Sequence, residues 1–350
     1  MKIYIVLNEK KPKAASDVHN AMEYMKEKQI IFDYEIYSYV YELNSKPSQL
    51  IISEICSNVI DNAFDIVLWM HPQLIKLSKE DLKKLENLKN KNIIFGLWDG
   101  DLFGDFFNKN IPKTLKKFGK ISDATFVQGL GYFSKKMEQI GSKNVEFVPA
   151  VGDRNRFDIE NKNKNKNKYD VVLIGNNHKR KISFMDMEGA KLRRKIVKLF
   201  TDKLGDRFAV FGMGWEKCSS NKGRLDYTKQ AEVYHNAKIA IGTNNLSAKY
   251  YFSDRLPIAM LSGKPVVNSY EEGLTEFFKG TGVFLYKDEY EALAVVKKLL
   301  NENDEKFRQY KQVNSEFAKS KLLIEHLMEY MVTYLISLHD DTKKPSNPWI

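Results

Sequence analysis

Cysteine is almost absent from these 350 residues: only Cys56 and Cys218 occur, far apart and in no metal-type spacing. That excludes a disulfide framework and a cysteine-bound zinc site, and both read as packing residues. There is no run of 18 apolar residues, and the first residues, Met1 to Asn8, read as a short strand without a small-residue cleavage site. The chain is therefore expected to be soluble and cytoplasmic. Gly-x-x-x-x-Gly-Lys-Ser/Thr is missing, which disfavours a P-loop kinase or ATPase. Gly-x-Gly-x-x-Gly is missing after both candidate first strands, which argues against a dehydrogenase.

What is present is ample apolar material, 43% of the chain, in a length that suits two domains of about 150 residues each. The net charge of +11 is unevenly spread: residues 1–160 hold 23 Lys+Arg against 22 Asp+Glu, and the remainder 33 against 23. Four of the excess cations sit in the Asn/Lys repeat of residues 161–168, a polar run with nothing to bury, which reads as a flexible linker. In the first half, Lys109, Lys113, Lys116, Lys117 and Lys120 occur with no acidic residue between Phe106 and Ser122. That segment reads either as a solvated helix face or as a phosphate-contacting patch.

Strand and helix signals alternate. Lys2 to Leu7 is an apolar run, and Val18, Ala21, Met22 and Met25 then follow helical spacing. Further strands are expected around 31–36, 65–70, 92–97, 124–128 and 145–148, with helices near 47–64, 78–90 and 131–140. Strands separated by such helices imply a parallel sheet covered on both faces. After the linker the pattern restarts at Tyr169-Asp-Val-Val-Leu-Ile-Gly175, followed by a helix with Leu192, Ile196, Leu199 and Phe200 on one face. Strands at 208–211, 239–242, 265–268 and 282–285 and helices at 228–237 and 290–301 complete a second α/β domain. A last helical stretch carries Leu323, Leu327, Tyr330 and Tyr334. The expected division is 1–158, a linker at 159–168, 169–320, and a carboxyl-terminal helix and tail at 321–350.

Ligands of doubly wound sheets bind at strand ends, so chemistry is sought there. Gly175, Asn176, His178, Lys179, Arg180 and Lys181 follow the restart strand, a glycine for close backbone approach and then cations suited to a diphosphate. Gly212, Gly214 and Trp215 follow the strand 208–211. In the first half, Asp99 directly follows an apolar strand and Trp98, with Asp101 two residues on. A carboxylate so placed suits a general base, and equally an Asx-turn or helix cap. His71, before Pro72, and Lys113, Lys116 and Lys117 are candidates for the side facing a second substrate. His19 beside Asp17 reads the same way or as a buried histidine.

The stretch from Phe252 to Val267, with Arg255, a short helix, Gly263 and the strand Pro265-Val-Val267, resembles GT-B glycosyltransferases, and the resemblance extends over most of the chain. It implies two Rossmann-like doubly wound domains facing across a cleft, with the last helix packing back on the first domain. It implies Arg255 on the donor phosphates and the Gly212 to Trp215 turn near the donor base. The family's ribose-binding glutamate is replaced by Ile258, which offers no acceptor. Glu271 and Glu272, after the next strand, are candidates to replace it. The strand ending in Asp99 resembles phage DNA β-glucosyltransferases, whose matching aspartate is the base, and also CgeB-like spore-maturation glycosyltransferases.

These resemblances imply transfer of a hexose or pentose from a UDP-sugar to an acceptor hydroxyl, inverting with Asp99 as base. No tightly bound cofactor is expected, and an exchangeable Mg²⁺ remains compatible. For the acceptor they leave open a hydroxymethylated base in DNA, in a bacterium or an infected bacterial host, and a cell-surface or spore glycan or protein. A non-catalytic nucleic-acid-binding protein on the same scaffold is a further alternative.

Overall fold

A computed structural model describes residues 1–101, 111–158, 168–177 and 186–350, the side chain of Glu188 excepted. The chain forms two compact units, Met1–Val148 with Ile324–Ile350, and Pro149–Leu323.

In the first unit six parallel strands take the order β2-β1-β3-β4-β5-β6. They are β1 (Lys2–Leu7), β2 (Asp33–Ser38), β3 (Ile66–Met70), β4 (Ile94–Asp99), β5 (Ala124–Val127) and β6 (Val145–Phe147). Continuous apolar runs such as Ile66-Val-Leu-Trp-Met70 form these strands because helices cover both faces, and every residue of β3 is fully buried. The helix Ser16–Glu27 buries Val18, Ala21, Met22 and Met25. The helix Lys79–Lys89 starts at a capping box between Ser78 and Asp81.

The final helix, Ile324–His339, belongs to this unit. It packs on β4, where a Cβ at Gly96 would stand 2.6 Å from Leu335 Cδ1, so the missing side chain is what admits the helix. Tyr330 and Tyr334 donate to the Glu146 carboxylate at 3.2 and 2.9 Å.

The second unit has five parallel strands in the order β11-β10-β9-β7-β8: β7 (Tyr169–Ile174), β8 (Phe208–Phe211), β9 (Ala237–Gly242), β10 (Val266–Ser269) and β11 (Val283–Tyr286). The strand after β7 lies on one side of it and β9 on the other. The chain order therefore reverses at the β7/β9 boundary, where open α/β sheets form a crevice.

The structure divides at Val148–Pro149, ahead of the expected linker. The short helix Arg154–Phe157 places Phe157, 1% exposed, in the second unit's core with Tyr169, Ala231 and Tyr234. The helix Asp304–Lys321 was not anticipated: it fully buries only Asn314 and Ala318, while Phe307, Tyr310 and Phe317 on the same face pack half-buried against the core. Asn314 anchors it, accepting from Gly282 N and donating to Lys264 O, each at 2.7 Å.

Candidate functional sites at the strand ends

In the first unit, β3 and β4 run side by side, so Met70 pairs with Trp98 and the next residues, His71 and Asp99, emerge together. Asp99 is 4% exposed and already occupied. Gln73 Nε2 donates to both its carboxylate oxygens, at 3.0 and 2.8 Å, and the Asp101 amide donates to Oδ1 at 3.0 Å. His71 Nδ1 lies 3.3 Å from the same oxygen.

His71 itself sits in the left-handed region (φ 53°) with its backbone held at both ends. Its amide donates to Trp98 O at 2.9 Å, and the Tyr39 hydroxyl donates to its carbonyl at 2.6 Å. Its ring meets Trp98 edge-on at 4.6 Å, while a quarter of the side chain stays exposed. Burial, followed by the Leu74 backbone and the Asp99 charge, sets the Tyr39 hydroxyl; the net effect pushes it up. A side chain at Gly100 would crowd His71 Cε1 and Gln128 Nε2, both at 3.0 Å.

The structure thus assembles a carboxylate–imidazole pair rather than an isolated aspartate. The Gly100 amide also points at Nδ1, at 3.4 Å, and competes with the carboxylate 3.3 Å away, which favours the Nδ1–H tautomer and so an Nε2 with its lone pair free. Among the described residues Nε2 has no partner. Asp101 is exposed, and its side chain joins the group by accepting from Gln73 Nε2 at 3.3 Å. Gln73 escaped the sequence reading; a polar residue in the turn after a buried strand is the signal that could have found it.

The lysines separate. Lys117 Nζ donates to the Leu77 carbonyl at 2.5 Å and so holds a neighbouring segment, whereas Lys113 and Lys120 are exposed and Lys116 half-buried. Lys109 lies outside the described residues.

In the second unit, a cavity of about 580 Å³ opens at the ends of β7 and β8, lined by Gly175, Asn176, Gly212 and Arg255 among others. Two glycines make the strand ends fit. Gly212 has φ 145°, and a Cβ there would stand 2.4 Å from the Gly175 carbonyl oxygen. Arg255 makes no hydrogen bond or ion pair among the described residues, and its Nε is buried and unsatisfied.

Behind this cavity, at the β7/β9 crevice, lies Arg193, 3% exposed. Its guanidinium donates from Nε to Thr243 Oγ1 at 2.6 Å, from Nη1 to Asn176 O at 2.8 Å and from Nη2 to Thr243 O at 2.9 Å. Among the described residues no carboxylate pairs with it. Burial first, and the Arg255 charge second, lower it to about 10, so it remains a cation at neutral pH. Two cations near one strand end, among the described residues one without a partner and one held by neutral oxygens, form an anion-seeking arrangement. Sequence reasoning missed Arg193, although an arginine between Leu192 and Ile196 on an apolar helix face was the available signal.

Other candidates lie elsewhere. Trp215 is 5% exposed, its indole N–H donates to Gly175 O at 2.7 Å, and with Gly214 it lines a separate cavity of about 510 Å³. Glu271 is 7% exposed and accepts from Ser247 Oγ, beside a third, smaller cavity. Glu272 is exposed and paired with Lys249 at 3.0 Å. Ile258 is fully buried in the core, where it packs rather than faces a ligand. His178, Lys179, Arg180 and Lys181 lie outside the described residues.

Two parallel-sheet Rossmann-like units, with the last helix returned to the first, define the GT-B fold. Within it, residues 191–336 match the model of the family described as glycosyl transferase-like. Solved structures agree on the fold. Anabaena HepE in complex with UDP-glucose is 11% identical with a TM-score of 0.57, over 94% of this chain and 98% of that one. A glycosyltransferase from Rickettsia africae is 13% identical with a TM-score of 0.60, over 97% and 98%. The E. coli structure described as trehalose-6-phosphate bound with UDP-2-fluoro glucose is 8% identical with a TM-score of 0.59, over 99% and 100%. No curated protein sequence matches.

Proposed function

We propose that the protein is a glycosyltransferase that takes its sugar from a nucleotide-sugar donor, a UDP-sugar by analogy with the ligands of the similar structures. The observation that carries this is the second-unit cavity: glycine-lined strand ends, an unpartnered Arg255, and Arg193 buried behind them without a carboxylate. A leaving diphosphate supplies the missing negative charge, and its charge-assisted hydrogen bonds are each worth about 1.5–3 kcal/mol. The sugar leaves as the anomeric carbon–oxygen bond to phosphate breaks, and the electrons of that bond go to the diphosphate.

In the first unit the proton acceptor of this reading is His71. Asp99 holds Nδ1–H, Nε2 takes the acceptor hydroxyl's proton, and the freed oxygen forms the new glycosidic bond with inversion. Asp99, occupied by Gln73 and the Asp101 amide, then serves as the positioning carboxylate. A DNA acceptor would rely on Lys113, Lys116 and Lys120, since Lys117 is engaged internally; a glycan or protein hydroxyl needs none of them.

The test is thermal stabilisation across UDP-, GDP-, ADP- and CMP-linked sugars. A donor at about 100 times its dissociation constant adds about 2.7 kcal/mol to folding. Absence of a shift with every nucleotide sinks the donor site and leaves the non-catalytic, nucleic-acid-binding reading, which salt-dependent DNA binding would then support.

A further inference from the structure

Among the polar side chains of the second-unit cavity that the phosphate chemistry does not use, Gln230 is the buried one. It is 5% exposed, and its Oε1 is buried with no hydrogen-bond partner. Among the described residues its Nε2 makes no hydrogen bond either, but that end is not buried from solvent, so the orphaned atom is the acceptor oxygen. A buried, unsatisfied polar group costs about tenfold or more in an equilibrium constant, since 1–3 kcal/mol is at stake. Methionine fills a similar volume without that cost, so the position bears a polar group that the unliganded fold does not need.

The walls around it identify what would satisfy it. Ile174, Phe211 and Leu225, with the ring of Tyr227, give one part of the cavity an apolar and aromatic wall suited to a flat ring, beside the charged Arg224 and Asp226. A carboxamide offers an acceptor and a donor side by side, the complement of a nucleobase edge carrying a ring N–H next to a carbonyl. A ribose diol could use the acceptor alone, but it would gain little from an aromatic lining.

We infer that Gln230 is the residue that reads the donor's nucleobase, pairing through its carboxamide with the base edge while Arg255 faces the phosphates. This inference rests on the nucleotide-sugar reading of the cavity. It also gives the site a nucleoside contact that neither Ile258, packed in the core, nor Glu271, at a different cavity, provides.

The experiment is titration calorimetry of the full chain with UDP, CDP, GDP, ADP and dUDP, on wild type, Gln230→Met and Gln230→Ala. Wild type is expected to favour one base by about tenfold or more, to bind UDP and dUDP alike if that base is uracil, and to lose the preference in both variants. Unliganded Gln230→Met is expected to melt no lower than wild type, whereas a purely structural glutamine would lower it. A wild-type base preference that survives both substitutions overturns the inference, as does equal wild-type binding of all bases. Loss of ribose discrimination without loss of base discrimination also overturns it. If wild type binds no nucleoside diphosphate at all, it is the donor reading that fails, and the base contact falls with it.

Discussion

Replacing Arg193 by lysine conserves charge and should nonetheless be the more damaging of two simple substitutions. The guanidinium fork reaches three oxygens at once, on Thr243 and Asn176, at 2.6–2.9 Å. A single ammonium at the end of a flexible stem cannot span them, so about two charge-assisted bonds are lost, each worth about 1.5–3 kcal/mol. The buried charge stays. Its cost is read from the lowering of Arg193 to about 10, which corresponds to at most about 3 kcal/mol. Arg193→Met loses the bonds but also removes that charge, so it should fall between wild type and Arg193→Lys. For a unit of this size about 3 kcal/mol corresponds to a drop of about 6–12 °C in melting temperature. Differential scanning fluorimetry of the three proteins, without ligand and with a nucleoside diphosphate, measures it. A lysine variant within about 2 °C of wild type, or more stable than the methionine variant, refutes the argument that the fork geometry holds this strand end together.

The imidazole and carboxylate of the first unit separate by substitution: His71→Ala and Asp99→Asn should each lower kcat by about 10²–10⁴-fold, the range of general base catalysis. If Asp99 were the base, His71→Ala would instead keep activity within a few fold, and a kcat comparison decides between them. Lys264 makes the opposite point about stability. Burial first, and the neighbouring Lys311 charge second, lower it to about 8, and among the described residues its ammonium bonds only the His235 carbonyl, 3.1 Å away. Its folded pKa is below its unfolded one, so the unfolded chain binds the extra proton and stability rises as pH goes from about 8 toward 10.5. Lys264→Met should therefore gain about 1–3 kcal/mol at pH 7, with the difference from wild type shrinking by pH 10, measured as paired melting curves. An unchanged difference across that range refutes it.

The alternation of strand and helix was legible because parallel strands buried on both faces must be continuously apolar, as Ile66–Met70 and Val171–Ile174 are. The glycine-ended strands of the second unit were legible for the related reason that only glycine admits the approach at Gly212. Less was readable where tertiary contact sets the chemistry. That Asp99 is already bonded depends on Gln73, which a turn brings back across 26 positions of sequence. Arg193 was hidden among apolar neighbours because its partners are backbone and hydroxyl oxygens of Thr243, just past β9, and Asn176, just past β7, not a charge nearby in the chain. The helix Asp304–Lys321 was hidden because its apolar face, Phe307, Tyr310 and Phe317, is diluted by charged residues and interrupted by Asn314, which is itself buried and bonded. Glu271 had suitable chemistry and spacing but lies at another cavity, since strand order alone does not say to which side of a sheet edge a loop turns.

The closeness of Leu335 to Gly96 bears on how the chain matures during synthesis. The second unit is contiguous, Pro149–Leu323, and has all its strands and helices once the ribosome has passed that point. The first unit is begun earlier yet finished last, because the face of β4 at Gly96 is closed by a helix encoded from Ile324 onward. Until that helix emerges, the nascent protein carries an open apolar sheet face, so a stretch translated after the whole of the second unit completes the unit begun before it.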